Sequence, residues 1–82
     1  MNKQQIEYAL INYEKIAKDW SYDILADDAT YYLAKIYDEK INDINLALLN
    51  YTIIIEKFQG SIYYDFSRKK IKGIQIKQND NL

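Results

Sequence analysis

Residues 44–58 read Ile44-Asn45-Leu46-Ala47-Leu48-Leu49-Asn50-Tyr51-Thr52-Ile53-Ile54-Ile55-Glu56-Lys57-Phe58, and at an offset of 38 residues they repeat an earlier stretch. Ile6 falls on Ile44, Ala9 on Ala47, Leu10 on Leu48, Asn12 on Asn50, Tyr13 on Tyr51 and Ile16 on Ile54. Trp20 falls on Phe58, aromatic on aromatic. Both copies place apolar residues at steps of three and four, the signature of one helix face. The same offset continues past the helices. Asp23 falls on Ser61, Ile24 on Ile62, Asp27 on Asp65, Leu33 on Ile71 and Ile36 on Ile74. Two unrelated amphipathic helices could match by chance, but their shared register would not also align a loop and a cap. The chain is therefore built on an internal repeat.

Working outward, the pattern predicts an all-α fold of four helices at about 4–19, 24–39, 43–58 and 61–75, forming one domain over 1–76 with a polar, frayed tail at 77–82. The first helix turns Ile6, Ala9, Leu10, Tyr13, Ile16, Ala17 and Trp20 to one side. The second uses Leu25, Ala29, Leu33, Ile36 and Tyr37, with Tyr32 at the edge. The third uses Ala47, Leu48, Tyr51, Ile54, Ile55 and Phe58, and the fourth Ile62, Phe66, Ile71 and Ile74. Asp23, Asp43 and Ser61 stand where N-caps belong. Asp27 and Asp28 place negative charge in a first turn, where the helix dipole favours it. Lys40-Ile41-Asn42 is a tight link.

Composition narrows the function classes. Eighty-two residues make at most one small domain. With no proline and two glycines, Gly60 and Gly73, the chain lacks the turn residues a β-rich fold needs. It has no histidine and no cysteine, so the commonest acid/base group, the commonest metal ligand and thiol chemistry are all missing. No Gly-rich phosphate loop is present. Asp27 and Asp28 are adjacent, and adjacent helical residues point about 100° apart, so they do not share a proton easily. Asp38-Glu39 with Asp43 lacks the glycine-containing pattern of a calcium loop. No catalytic residue, metal site or cofactor is expected, and the chain does not read as an enzyme. A net charge of −1 argues against a nucleic-acid partner, even though Arg68, Lys69, Lys70 and Lys72 share a helix. The apolar runs are too short to insert in a membrane.

Leu33-Ala34-x-x-Tyr37, then Ala47-x-x-x-Tyr51, then Phe58 before a loop, resembles the tetratricopeptide repeat, a family of paired antiparallel helices. Ala34, Ala47 and Tyr51 match its small and aromatic positions, whereas Thr30, Ile54 and Gln59 stand where it has Trp, a small residue and Pro. The interval of 38 exceeds the usual 34. One extra residue lies before Ala47 and three lie around the loop after Phe58. This longer form is similar to bacterial cell-envelope repeat proteins, among them outer-membrane assembly lipoproteins and Tol–Pal coordinator proteins. In that branch Pro and Ala occupy the places of Gln59 and Ser67.

The resemblance implies antiparallel helical hairpins in a right-handed α-solenoid, a protein-binding scaffold, and a periplasmic or envelope location. It also implies a fragment of a longer repeat protein, since the first and fourth helices each lack a hairpin partner. In the family the first helix of each pair lines a concave groove, which would be formed here by Asp28, Tyr31, Tyr32, Lys35, Asp38 and Lys69. Tyr31 is expected to be exposed there, as a binding anchor. Tyr32 stands where some members use Asn to grip a terminal carboxylate, so that grip is not expected. The partner would be another protein or peptide. The alternative is self-association through the first helix, a homodimer, because Ile6, Tyr8, Leu10 and Ile11 spread over more of its circumference than one neighbour covers.

Overall fold

The structure, a computed structural model, describes residues 1–18 and 25–80. Trp20, Ile24 and the expected cap Asp23 lie outside the described residues. The described residues form α1 (Lys3–Lys18), α2 (Ala26–Ile36), a π-helical turn that prolongs α2 (Tyr37–Ile41), α3 (Ile44–Lys57) and α4 (Tyr64–Asp80), with no strand among them. No helix among them is long and apolar enough to cross a membrane. α2 packs against both α1 and α3, and α4 packs against α3. The assembly measures 40 × 32 × 16 Å. Its short dimension is under two helix diameters, so a helix is covered only where a neighbour lies beside it.

Each helix start has a chemical cause. At α1, the Asn2 Oδ1 accepts from the Gln5 amide at 2.8 Å, and the Gln5 Oε1 accepts from the Asn2 amide at 2.9 Å. This reciprocal capping box satisfies two amides that the helix leaves open. At α2, Leu25 precedes the first turn without a side-chain cap, and Asp27 and Asp28 sit in that turn. At α3, the Asp43 carboxylate accepts from the Leu46 amide at 3.1 Å. Asn42 just before it is left-handed, at φ 63°. Asparagine tolerates that region better than other residues with a Cβ, and the reversal stops the π turn.

α4 departs most from expectation. Regular helix starts at Tyr64, three residues after Ser61, and runs on to Asp80 beyond the expected end at Gln75. The Ser61 hydroxyl accepts from the Tyr63 amide at 3.1 Å and donates to Asp27 Oδ2 on α2 at 2.6 Å. Ser61 thus closes a turn that is pinned to α2, and the helix begins after it. The new phase changes which residues face inward. Ser67, Ile71 and Ile74 form the covered row, with Ser67 fully buried. Ile62, in the turn before α4, and Phe66, next to Ser67 on the helix, are 76% and 55% exposed, not inside as expected. At the far end, no glycine or proline falls between Gln75 and Asp80, so nothing breaks the helix. The expected frayed tail is helical as far as Asp80.

The core follows from small residues at the helix crossings. Ala26, Ala34 and Ala47 are wholly buried and Ala29 nearly so, letting backbones approach closely. Around them pack Leu33, Ile36, Tyr51, Ile54 and Ile74. Leu25, placed on the stripe of the second helix by periodicity, is half exposed because it precedes the first turn of α2. Two polar residues inside the helices are satisfied locally. The Thr30 hydroxyl donates to the Ala26 carbonyl at 2.8 Å, and the Asn50 amide donates to the Leu46 carbonyl at 2.9 Å.

Ser67 is different. Its Oγ is buried without a hydrogen-bond partner among the described residues, and the repeat offset places it on Ala29. Ser67→Ala should therefore raise stability, by about 1 kcal/mol, because it removes a desolvated hydroxyl without opening a cavity of any size. Urea midpoints of the two proteins check this.

Candidate functional site

α2 sits between two helices, so its side chains are claimed from both sides. Towards α1, the Tyr32 ring stacks on Tyr13 with centroids 5.6 Å apart and planes at 26°. The Tyr37 hydroxyl donates to Glu14 Oε1 at 3.0 Å. Towards α3, the Tyr51 hydroxyl donates to Asp38 Oδ2 at 3.2 Å. At the start of α4, Tyr63 stacks on Tyr31 at 4.3 Å and 15°, and meets Tyr32 edge-on at 6.3 Å. Tyr31 also meets Tyr32 and Tyr51 edge-on at 6.1 Å, and lies 6.4 Å from Phe66. These rings make one continuous aromatic patch joining all four helices.

The six residues expected in a groove are distributed as follows. Tyr32 is 42% exposed. It lines one cavity with Asp28, Tyr13 and Tyr63, and a second with Lys35, Tyr13 and Glu39. Lys35 also approaches Glu39 at 3.9 Å, one turn along. Asp38 turns towards α3, where it holds Tyr51. Lys69 lies on the outer face of α4, in a shallow trough with Asp65, Arg68 and Lys72. Tyr31 is half-buried against the Ala34–Ala47–Tyr51–Ile74 core, not exposed as expected. Asp28, Tyr31, Tyr32 and Lys35 therefore form one neighbourhood, and no cavity joins Lys69 to them among those described. Of the acidic trio weighed for a cation, Asp38 serves Tyr51, Asp43 caps α3 and Glu39 faces Lys35.

Sequence reasoning missed Tyr63. The offset pairs it with Leu25, which gives no hint of a ring contact, and its placement depends on the Ser61 turn. The periodicity of α1 marks Tyr13 as a packing residue; it is also a wall of the site.

The phenols share an electrostatic trend. Burial first, then the charge of and the hydrogen bond to Asp38, pushes Tyr51 far above the usual phenol range. Burial, then the bond to Glu14, raises Tyr37. Burial raises Tyr31, opposed in part by Lys70. Hydrogen bonding to Asp28, then burial, then hydrogen bonding to Tyr32, raises Tyr63. All four stay protonated at neutral pH, so none is an activated base or nucleophile.

Above about pH 10 the unfolded chain releases phenol protons that the folded chain still holds. Unfolding is then favoured as pH rises, and nothing is lost below that point, where both states are protonated. Stability should be level from about pH 8 to about pH 10 and fall beyond it. Tyr51→Phe, less stable at neutral pH, should show a shallower fall. Urea midpoints across that range check both.

No family model, characterised protein or solved structure matches the chain.

Proposed function

We propose that this chain is a non-catalytic protein-interaction module, a right-handed α-solenoid segment of the tetratricopeptide type that docks a peptide along the α2 side. The observation that carries the reading is the match between sequence offset and burial. Ala47, Tyr51 and Ile54 on α3 are buried, and their offset partners Ala9, Tyr13 and Ile16 on α1 are half-buried. Ala29 and Ile36 on α2 are buried, as are their partners Ser67 and Ile74 on α4. Equivalent positions face the core, and the graded burial of α1 is what a stack gives at an edge helix. A second support concerns spacing. The extra residue before Ala47 has a physical seat, because a π turn takes up one more residue than an α turn. The cell-envelope branch rests on the residue pattern alone, and a location there is proposed on that basis.

A docking role accords with exposed and half-buried tyrosines, which give large contact area at low entropy cost. Selection of random peptides against the full chain tests it. Selected peptides should lose binding to Tyr32→Ala combined with Lys35→Glu, which alters the site while sparing the core. Failure to select any peptide, or equal binding to the variant, overturns the reading.

One observation favours self-association as a second reading. Tyr8 and Ile11 on α1 are 73% and 61% exposed, and their offset partners Leu46 and Leu49 on α3 are 37% and 55% exposed. α3 has neighbours on two sides, so this apolar row is a property of the face and not of a missing neighbour. Light scattering should then show mass rising with concentration, and a strict monomer removes this reading.

A further inference from the structure

Among the cavities along the chain, the one between α1, α2 and the start of α4 differs in charge. The troughs beside Glu14, Glu39 and Asp65 each carry lysine or arginine of their own. The cavity beside Asp28 carries none. Its walls are the rings of Tyr13, Tyr32 and Tyr63, its apolar lining includes Ile16 and Ala29, and its volume is about 190 Å³. That is smaller than the ~300–1,000 Å³ of ordinary small-molecule sites and suits one long side chain. Tyr32 and Tyr63 meet edge-on, with centroids 6.3 Å apart and planes at 62°. The Asp28 carboxylate has no ion-pair partner among the described residues.

We infer that this cavity is a socket for an arginine side chain of a docked peptide. The inference rests on the docking reading above and names the chemistry of its partner. A guanidinium can lie flat against a tyrosine ring while donating to a carboxylate, which a leucine or a glutamate cannot do. The phenol oxygens of Tyr32 and Tyr63 add acceptors beside Asp28. The second acidic group of this helix start is already engaged, since Asp27 accepts from Ser61 at 2.6 Å. Asp28 takes a hydrogen bond from Tyr63 but has no cation beside it among the described residues, so its charge is what remains to meet the ligand.

The test uses peptides selected at random against the full chain. Arginine should recur in them at one position, and replacing it with citrulline, the same shape without charge, should weaken binding about tenfold. In Asp28→Asn the arginine and citrulline peptides should bind alike, which couples the ligand's charge to this carboxylate. Asparagine can still accept from Tyr63, so the fold is kept, and an unchanged circular dichroism melt verifies it. Peptides without arginine, equal binding of the citrulline form, or an arginine preference that survives Asp28→Asn would each overturn the socket while leaving the docking module intact. If no peptide is selected, the docking reading itself fails.

Discussion

Tyr51→Ala should bring the chain close to unfolding. Tyr51 is wholly buried in the centre of α3, among Ala34, Ala47 and Ile74. Removing a buried aromatic ring costs about 3–5 kcal/mol, through lost transfer energy and the cavity left behind. A domain of this length has on the order of 4–12 kcal/mol in total, so one side chain accounts for a large share. Tyr51→Phe separates the ring from the hydroxyl. It keeps the packing and loses the bond to Asp38, at 3.2 Å, for about 1 kcal/mol. Urea titrations measure both. Equal losses would mean that the hydroxyl, and not the ring, holds α3 to its neighbours.

Tyr31→Ala should be the second most damaging change in the aromatic patch, at about 2 kcal/mol. The side chain is half-buried, so area alone contributes less than for Tyr51. Its stacking on Tyr63 adds a further ring–ring term of about 0.5–1.5 kcal/mol. The sequence suggests a much smaller loss, since Tyr31 lies off the apolar stripe of its helix. The difference is physical. Periodicity finds the stripe that faces one neighbour, but α2 has α1 on one side, α3 on another and the start of α4 over its flank. Comparing Tyr31→Ala with Tyr32→Ala shows the asymmetry, because Tyr32 is 42% exposed. A loss at Tyr31 no larger than at an exposed position would mean that the stack with Tyr63 does not form in solution.

What was legible in the sequence follows the same logic. On α1, the residues read as one face, Ile6, Ala9, Leu10, Tyr13, Ile16 and Ala17, are the residues that the fold half-buries. On α3, Ala47, Tyr51 and Ile54 of the predicted face are buried and Leu48, Ile55 and Phe58 half-buried, with Asn50 buried beside them, and Asp43 caps as its type and position suggest. These helices meet their neighbours along simple stripes. Errors gather where a local bond sets the phase. Ser61 spends its hydroxyl on Asp27 and on the Tyr63 amide, delays α4, and turns Ile62 and Phe66 outward. Small and polar residues were also missed as core. Ala26 and Thr30 are buried because helices cross there, and hydropathy alone does not mark a crossing point. In the candidate site, Asp28, Tyr32 and Lys35 stand in one neighbourhood. Tyr63 joins them only through the turn that the sequence misplaces, and Lys69 remains on the far face of α4.

The proposed docking role depends on α2 being held between α1 and α3, with the start of α4 folded over its tyrosines. Nuclear Overhauser spectra of the tyrosine rings in solution measure that directly. Cross-peaks should link Tyr31 with Tyr63, Tyr31 with Tyr51, and Tyr32 with Tyr13. A helical chain whose spectra lack these contacts, or that link the rings of α1 to α4 without α2, would contradict this packing and the docking site proposed on it.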